Sequence, residues 1–529
     1  MISRKLYFLG AIGALGLAAC DNDKLTEVNQ NPNSPTDAPT STLFTSSARL
    51  TAARFLDGVG GTRYGFLAQH MAEVQYPESD QYIRLRGNNA AGLFSTPYSS
   101  ELQDLQLVAQ RGLAANEAGT YGPALILQSW EFGYITDTFG DVPYSQAFKA
   151  DSGILSPAYD EQKAIYAGIF ANLDKAAKDL GAASNTLGGS DPIYGGAPAK
   201  WQKFANSLRA RHALRLVNVD QATASAQLQA AFSGPGGLIT TNADNALIQW
   251  PGDGVYDNPW SNNFKTRDDH RVSDRLINVL REFNDPRITV LAMAPDRDAE
   301  AVEGRTTKWC PTDFTTNCYI GLANALTHAQ ASPLVPTTSR IGGIFYPGAT
   351  AYGNYGGGGS AYPSPLMTAA EVLFIQAEAA ARGLGGLTAG QANGFYQAAI
   401  RASMEQYGIP SAQITAYLAS PAGTLAAGNA GLIQIAKQKW LALFQDPLNA
   451  WAEVRRTCQP ATVEPGPAAA EAILPRRLQY PTNESATNAE SRAEAVARQG
   501  ADNLRTRIYW DKNPTAAPTY QAGCGDRAS

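Results

Sequence analysis

The residues with the clearest chemical potential in this 529-residue chain are flat aromatics set among short amides and carboxylates. Trp250, Tyr256, Trp260 and Phe264 fall in one stretch with Asp253, Asp257, Asn258, Asn262 and Asn263. Tyr346, Tyr352, Tyr355 and Tyr362 crowd a second stretch, and Tyr76, Tyr82 and Tyr98 follow an early helical segment. An aromatic face stacks on the CH-rich side of a sugar ring, while Asn and Asp reach its rim of hydroxyls. The same surfaces suit peptides and other amphipathic solutes. Trp250, Tyr256, Trp260, Phe264, Tyr76, Tyr82, Tyr346 and Tyr352 are therefore the candidate ligand-binding residues. Any one of these rings also fits as packing of a loop onto a helix. As a set they predict at least one exposed aromatic platform.

Catalytic spacing is largely missing. There is no GxSxG, HExxH, phosphate-binding Gly loop, strand-linked GxGxxG or EF-hand pattern. The run Gly356 to Gly359 does not match a phosphate cradle. The four histidines, His70, His212, His270 and His328, are far apart, and no cofactor or metal is expected. Asp268-Asp269-His270-Arg271 and the pair Asp137 and Asp141 are the clusters that acid/base work could use. The second pair flanks Thr138-Phe139-Gly140, which reads more simply as a turn ending a helix. No catalytic residue is assigned.

Composition narrows the class. The chain is 44% apolar and 17% charged, so it can bury a core. Its net charge is −5 and its basic residues are scattered, which disfavours nucleic acid as a partner. Arg4 and Lys5 precede an apolar run from Leu6 to Ala18, too short to span the ~30 Å of a bilayer core. The run ends in Leu17-Ala18-Ala19-Cys20, which resembles the lipobox of bacterial lipoproteins. That resemblance implies lipidation of Cys20 after removal of residues 1–19, and anchorage by more than one acyl chain. In an exported protein the other cysteines, Cys310, Cys318, Cys458 and Cys524, are an even set for disulfides. Cys310 and Cys318 bracket a turn-rich loop, which leaves Cys458 to pair with Cys524. Metal ligation is the less favoured reading of the four.

The elements that must position these residues are mainly helical. Residues 21–40 are polar and rich in Asn, Thr and Pro, as a tether would be. Apolar periodicity predicts helices near 43–57, 62–75, 96–118, 120–138, 159–181 and 198–220. Ile165, Ile169, Leu173 and Leu180 mark one buried stripe. Trp201, Phe204, Leu208 and Leu216 mark another, with Arg209, Arg211 and Arg215 on the solvent side and His212 as a packed or surface residue. Roughly 235–365 reads as long aromatic-rich loops with a few short strands. Helical pattern returns at 366–382, 389–407 and 428–456, and once more near 484–499. The fold class is mainly α, with helix pairs of tetratricopeptide-like length forming a scaffold.

Five segments, in order along the chain, resemble the SusD/RagB family of outer-membrane nutrient-binding lipoproteins, in its SusD-like branch. They are Ile135–Tyr144; Asp191–Gly196 with Trp201–Leu208; Met367–Ala379; Gln438–Phe444 with Ala450–Thr457; and Pro475–Pro481 with Glu484 and Asn488. The resemblance implies a single SusD-like domain over 41–529. Its helical scaffold would occupy about 41–234 and 366–456, a loop-rich ligand region about 235–365, and a tail 457–529. It also implies a TonB-dependent, SusC-like β-barrel transporter as partner, to which captured glycan, oligosaccharide or peptide is delivered. Trp201, Phe204, Glu371, Glu378, Trp440, Trp451 and Arg455 would be structural, and no ligand residue transfers by motif. Cys458 stands where the family often has glycine.

The expected function is therefore a non-enzymatic, lipid-anchored lipoprotein of the outer membrane, exposed at the cell surface, that captures extracellular nutrient. Asp21 and Asp23 after Cys20 are compatible with surface export, although in some bacteria an aspartate there retains lipoproteins at the inner membrane. Two other readings stay open: a secreted polysaccharide hydrolase, and a helical scaffold of the envelope that binds no small ligand.

Overall fold

The computed structural model describes residues 38–56, 58–265, 268–295, 319–347 and 358–511. Cys20, Cys310, Cys318, Cys524 and Tyr352 lie outside the described residues. The longer helices of the first half are α1 (Thr40–Phe55), α2 (Gly58–Leu67), α3 (Ala91–Ser99), α4 (Glu101–Ala114), α5 (Ala118–Phe139), α6 (Gln162–Asp179), α7 (Pro198–Arg215) and α8 (Gln221–Phe232). After α9 (Asp274–Glu282) come α10 (Ala369–Arg382), α11 (Ala392–Gln406), α12 (Ser411–Leu418), α13 (Gly428–Ala442), α14 (Pro447–Thr457) and α15 (Ala489–Gln499). Successive helices from α4 to α8 pack on one another, as do α10 with α11 and α13 with α14. Helix α7 also packs on α10, and α14 packs on α2, so the end of the chain returns to its beginning. The expected mainly helical architecture is what the chain adopts.

Local chemistry sets the helix ends. Asp220 accepts the Thr223 N–H at 3.1 Å to open α8, and Thr368 caps α10 through the Glu371 N–H. Asp446 accepts the Asn449 N–H and Pro447 takes the first position of α14. That start divides the single helix expected at 428–456. The stretch expected at 96–118 likewise divides, at Ser100. Helix α10 stops at Gly383, whose φ of +67° a side chain would disfavour. Cys458 ends α14 with φ +59°, the conformation that a glycine would take there more easily. It is disulfide-bonded, with a partner outside the described residues.

Helix α5 is buried along nearly its whole length, and one apolar core runs from Phe44 to Trp510. Inside it lies an ionic lattice. Arg211 pairs with Glu371, Arg215 with Asp137 and Glu453, and Arg456 with Glu378 and Glu453. Lys439 adds a contact to Glu453 at 3.2 Å. Arg211 and Arg215 therefore do not face solvent as their spacing suggested, because α5, α10 and α14 bring carboxylates to that side of α7. His212, between them, is buried. Asp137 accepts from the Tyr166 hydroxyl and the Trp510 indole, so it belongs to this lattice.

The motif residues are structural. Trp201 donates its indole N–H to Asp191, Trp440 to the Ala68 carbonyl and Trp451 to the Pro475 carbonyl. Arg455 lies 3.5 Å over the Trp451 ring and donates to the Asp137 and Arg476 carbonyls.

Among the described residues, the strands form three antiparallel two-stranded ribbons. In the first, β1 (Met71–Glu73) pairs with β5 (His270–Val272), setting Glu73 opposite His270. The second joins β2 (Val142–Pro143) to β3 (Tyr159–Asp160). The third joins β4 (Ala246–Ile248) to β6 (Ser364–Met367) and staples the loop-rich region to the start of α10. Among the described residues, no helix is long and apolar enough to cross a membrane.

Candidate functional site

Helix α2 is fixed from behind by the C-terminal helices: Tyr64 stacks on Trp451 with ring centroids 6.1 Å apart. The face turned away from those contacts carries Thr62, Arg63 and Phe66 into a cleft of about 440 Å³. The loop after β1 adds Tyr76, Ser79 and Arg84, the β1/β5 ribbon adds Glu73 and His270, Asp269 joins them from just before β5, and Asn263 completes the lining. Asp80 anchors that loop. It accepts the N–H groups of Glu73 and Ala325 and the Asn324 side-chain amide at 3.2, 2.8 and 2.8 Å. Burial nevertheless raises its carboxyl to about 7, against the pull of those three donors.

The polar groups of the cleft are unevenly partnered. His270 Nε2 lies 3.4 Å from Glu73, and its ring stacks on Phe66 at 5.8 Å. Arg84 reaches Glu78 at 3.3 Å across an exposed surface. Arg63 is only 8% exposed, and its Nε and Nη1 have no hydrogen-bond partner among the described residues. Burial lowers its pKa, against an opposing pull from Tyr64, and the neighbouring Arg84 charge adds to the lowering. The side-chain nitrogen of Asn263 also lacks a partner there. A stacking ring, guanidinium and amide donors, and carboxylate acceptors thus converge on one opening.

Of the candidate residues, Tyr76 (44% exposed) lies in this cleft. Tyr256 is 50% exposed on a different loop, with the Arg49 guanidinium 4.9 Å over its ring. The others do not form the expected platform. Trp250, Trp260, Phe264, Tyr82 and Tyr346 are all buried. Trp260 packs edge-on to Phe345 and Phe444, and Phe264 stacks on Tyr346 at 4.6 Å. Trp250 donates its indole N–H to Ser364, and Tyr82 accepts from Gln69. Their faces are spent on joining the loops to the helices. Tyr352 is outside the described residues.

The acidic clusters also separate. Asp268 is held by Arg271 and Arg340 at 2.9 and 2.6 Å, which keep its carboxyl below the usual range, whereas Asp269 and His270 face the cleft. Asp141 accepts the Gln162 N–H and contacts Arg498, a structural tie. A second, larger hollow of about 610 Å³ includes Tyr98, Phe148 and Leu155, but its known ring contacts are internal. Arg63, Glu73 and Arg84 were absent from the sequence reading. Their one signal was proximity in sequence to Tyr76.

The chain belongs to the SusD-like family described as starch-binding and associating with the outer membrane, whose model matches residues 32–481. No curated protein matches it. Among solved structures, a chitin-binding protein is 25% identical, with a TM-score of 0.72 over 89% of this chain and 99% of that one. A SusD homologue from Bacteroides uniformis is 26% identical, with a TM-score of 0.68 over 90% and 100%. A chitin-binding SusD homologue from Flavobacterium johnsoniae, 24% identical, shares the fold with a TM-score of 0.71 over 91% and 98%.

Proposed function

We propose that this protein is a lipid-anchored outer-membrane lipoprotein that captures extracellular saccharide in the Tyr76 cleft and passes it to a TonB-dependent β-barrel. The observation that carries the binding role is the chain-long match to a starch-binding family, joined to a cleft that offers one exposed ring and several hydrogen-bonding groups. Delivery to a SusC-like barrel and anchorage through Cys20 rest on the resemblance of the chain's motifs. Cys458 is assigned to Cys524, leaving Cys310 to pair with Cys318.

Tyr76 supplies the stacking face, Arg84 and Asn263 donate to hydroxyls, and Glu73 and Asp269 accept from them. Held by its lipid close to the barrel, the protein would raise the local concentration of captured ligand. Sedimentation of a soluble form starting after Cys20 with insoluble starch and chitin, followed by chromatography of the supernatant, tests this. Retention on one polymer without released sugars is expected. Released oligosaccharides would favour the hydrolase reading, and retention on neither polymer, with binding of peptides, would reject saccharide as the ligand.

A further inference from the structure

We infer that the cleft is built for an anionic saccharide, whose acidic group occupies the place of the counter-ion that Arg63 lacks. This deepens the saccharide-binding proposal and rests on it. A buried guanidinium is ordinarily matched by a carboxylate, because leaving the charge unpaired in a low-dielectric site is strongly unfavourable. Arg455, buried without an ion pair among the described residues, is met instead by the Trp451 ring and by the Asp137 and Arg476 carbonyls. Arg211, Arg215, Arg287 and Arg456, also buried, each follow the rule and meet at least one buried carboxylate. Arg63 departs from it. No carboxylate among the described residues lies within ion-pair distance, two of its nitrogens have no hydrogen-bond partner, and the charge beside it is a second guanidinium, Arg84.

Chemistry divides the cleft by element. Helix α2 and the loop after β1 bring the two guanidiniums, while β1 and the residue just before β5 bring Glu73 and Asp269. A sugar carboxylate or sulfate ester suits the first pair, since a guanidinium presents parallel N–H groups to such an oxyanion. The hydroxyls of the same ring suit the carboxylates of the ribbon as acceptors. Tyr76, at the rim, suits the ring face. A neutral glycan would leave Arg63 without its counter-charge.

The test is calorimetric titration of the soluble protein with trigalacturonate, with its methyl ester, with a sulfated galactose trimer, with neutral maltotriose and chitotriose, and with a poly-Glu peptide. The acidic trimers should bind at least tenfold more tightly than the ester and the neutral sugars, and Arg63→Met should remove that preference. If sulfate rather than uronate carries the preference, the same pocket is assigned to sulfated sugars. Equal affinity for acid and ester, or a preference that survives Arg63→Met, overturns the inference. If neutral sugars still bind through Tyr76, saccharide capture then stands without it. Binding of poly-Glu alone overturns both, as does silence across all probes. A ligand-free readout accompanies this. Replacing an unpaired buried charge by an apolar chain of similar length should hold or raise the melting temperature of Arg63→Met. A fall of several degrees would mean that Arg63 has a structural partner, and the inference would fail.

Discussion

Arg211 on α7 and Glu371 on α10 face each other through two parallel hydrogen bonds, Nε to Oε1 at 2.7 Å and Nη2 to Oε2 at 2.5 Å, in a fully buried setting. Residues 160 positions apart thus close the two halves of the scaffold on each other. Glu371→Ala leaves a buried guanidinium with the Leu366 carbonyl at 2.9 Å and, as its nearest remaining carboxylate, Asp446 at 3.4 Å. The expected loss is ~3–5 kcal/mol, whereas replacing both partners by apolar residues of similar volume should restore most of it. Chemical denaturation of the two single variants and the double variant measures this, and additive losses would count against a direct pair.

A second prediction concerns how closely α5 and α7 approach. A Cβ at Gly133 would stand 2.3 Å from Cε1 of the buried His212 ring. Gly133→Ala should therefore lower stability by ~1–3 kcal/mol through overpacking, despite the better helix propensity of alanine. An unchanged melting temperature would mean that the two helices part easily.

The histidines predict an acid sensitivity. Burial lowers His70 to about 3, and His212 is held far below its usual value by burial and by Arg211 and Arg215. Both are favoured neutral in the folded state, so their contribution is complete above the unfolded value of ~6.5 and is lost as pH falls toward 3. The rate is about 1.4 kcal/mol per pH unit for each group. Asp80 and Glu131, raised by burial, act in the opposite direction and lose stability as pH rises. The clean readout is therefore a difference: between pH 7 and 5, His70→Gln should show a shallower loss than the wild type. Identical slopes would contradict a neutral buried His70.

The aromatics divide into two sets with opposite signatures. Trp260→Ala removes a ring packed on Phe264, Phe345 and Phe444, and should lower stability by ~3–5 kcal/mol. Tyr76→Ala removes an exposed ring, and should leave the melting temperature within a degree or two while weakening saccharide binding about tenfold. Affinity unchanged in Tyr76→Ala and lost in a folded Trp260→Ala would reverse the assignment.

Much of the scaffold was legible because its apolar stripes are long. The segments around 120–138, 159–181 and 366–382 became helices at nearly those bounds. Periodicity failed where both sides of a helix are buried. Arg211 and Arg215 looked like a solvent face because charge marks water until carboxylates from distant helices are brought to meet it. Composition located the aromatic loops but could not say which rings face outward. Trp260 and Tyr76 have the same character in sequence and opposite environments in the fold. Arg63 was invisible for a related reason. Two of its nitrogens meet no hydrogen-bond partner among the described residues, which is a tertiary property.

The measurement that bears most directly on the account is a calorimetric titration of the soluble protein and of Tyr76→Ala with a panel of oligosaccharides, neutral and acidic, with each mixture checked for cleavage. The account predicts saturable binding of at least one saccharide by the wild type, about tenfold weaker binding by the variant, and no products. Binding untouched by the substitution would contradict the placement of the site, and cleavage would contradict its role as a carrier.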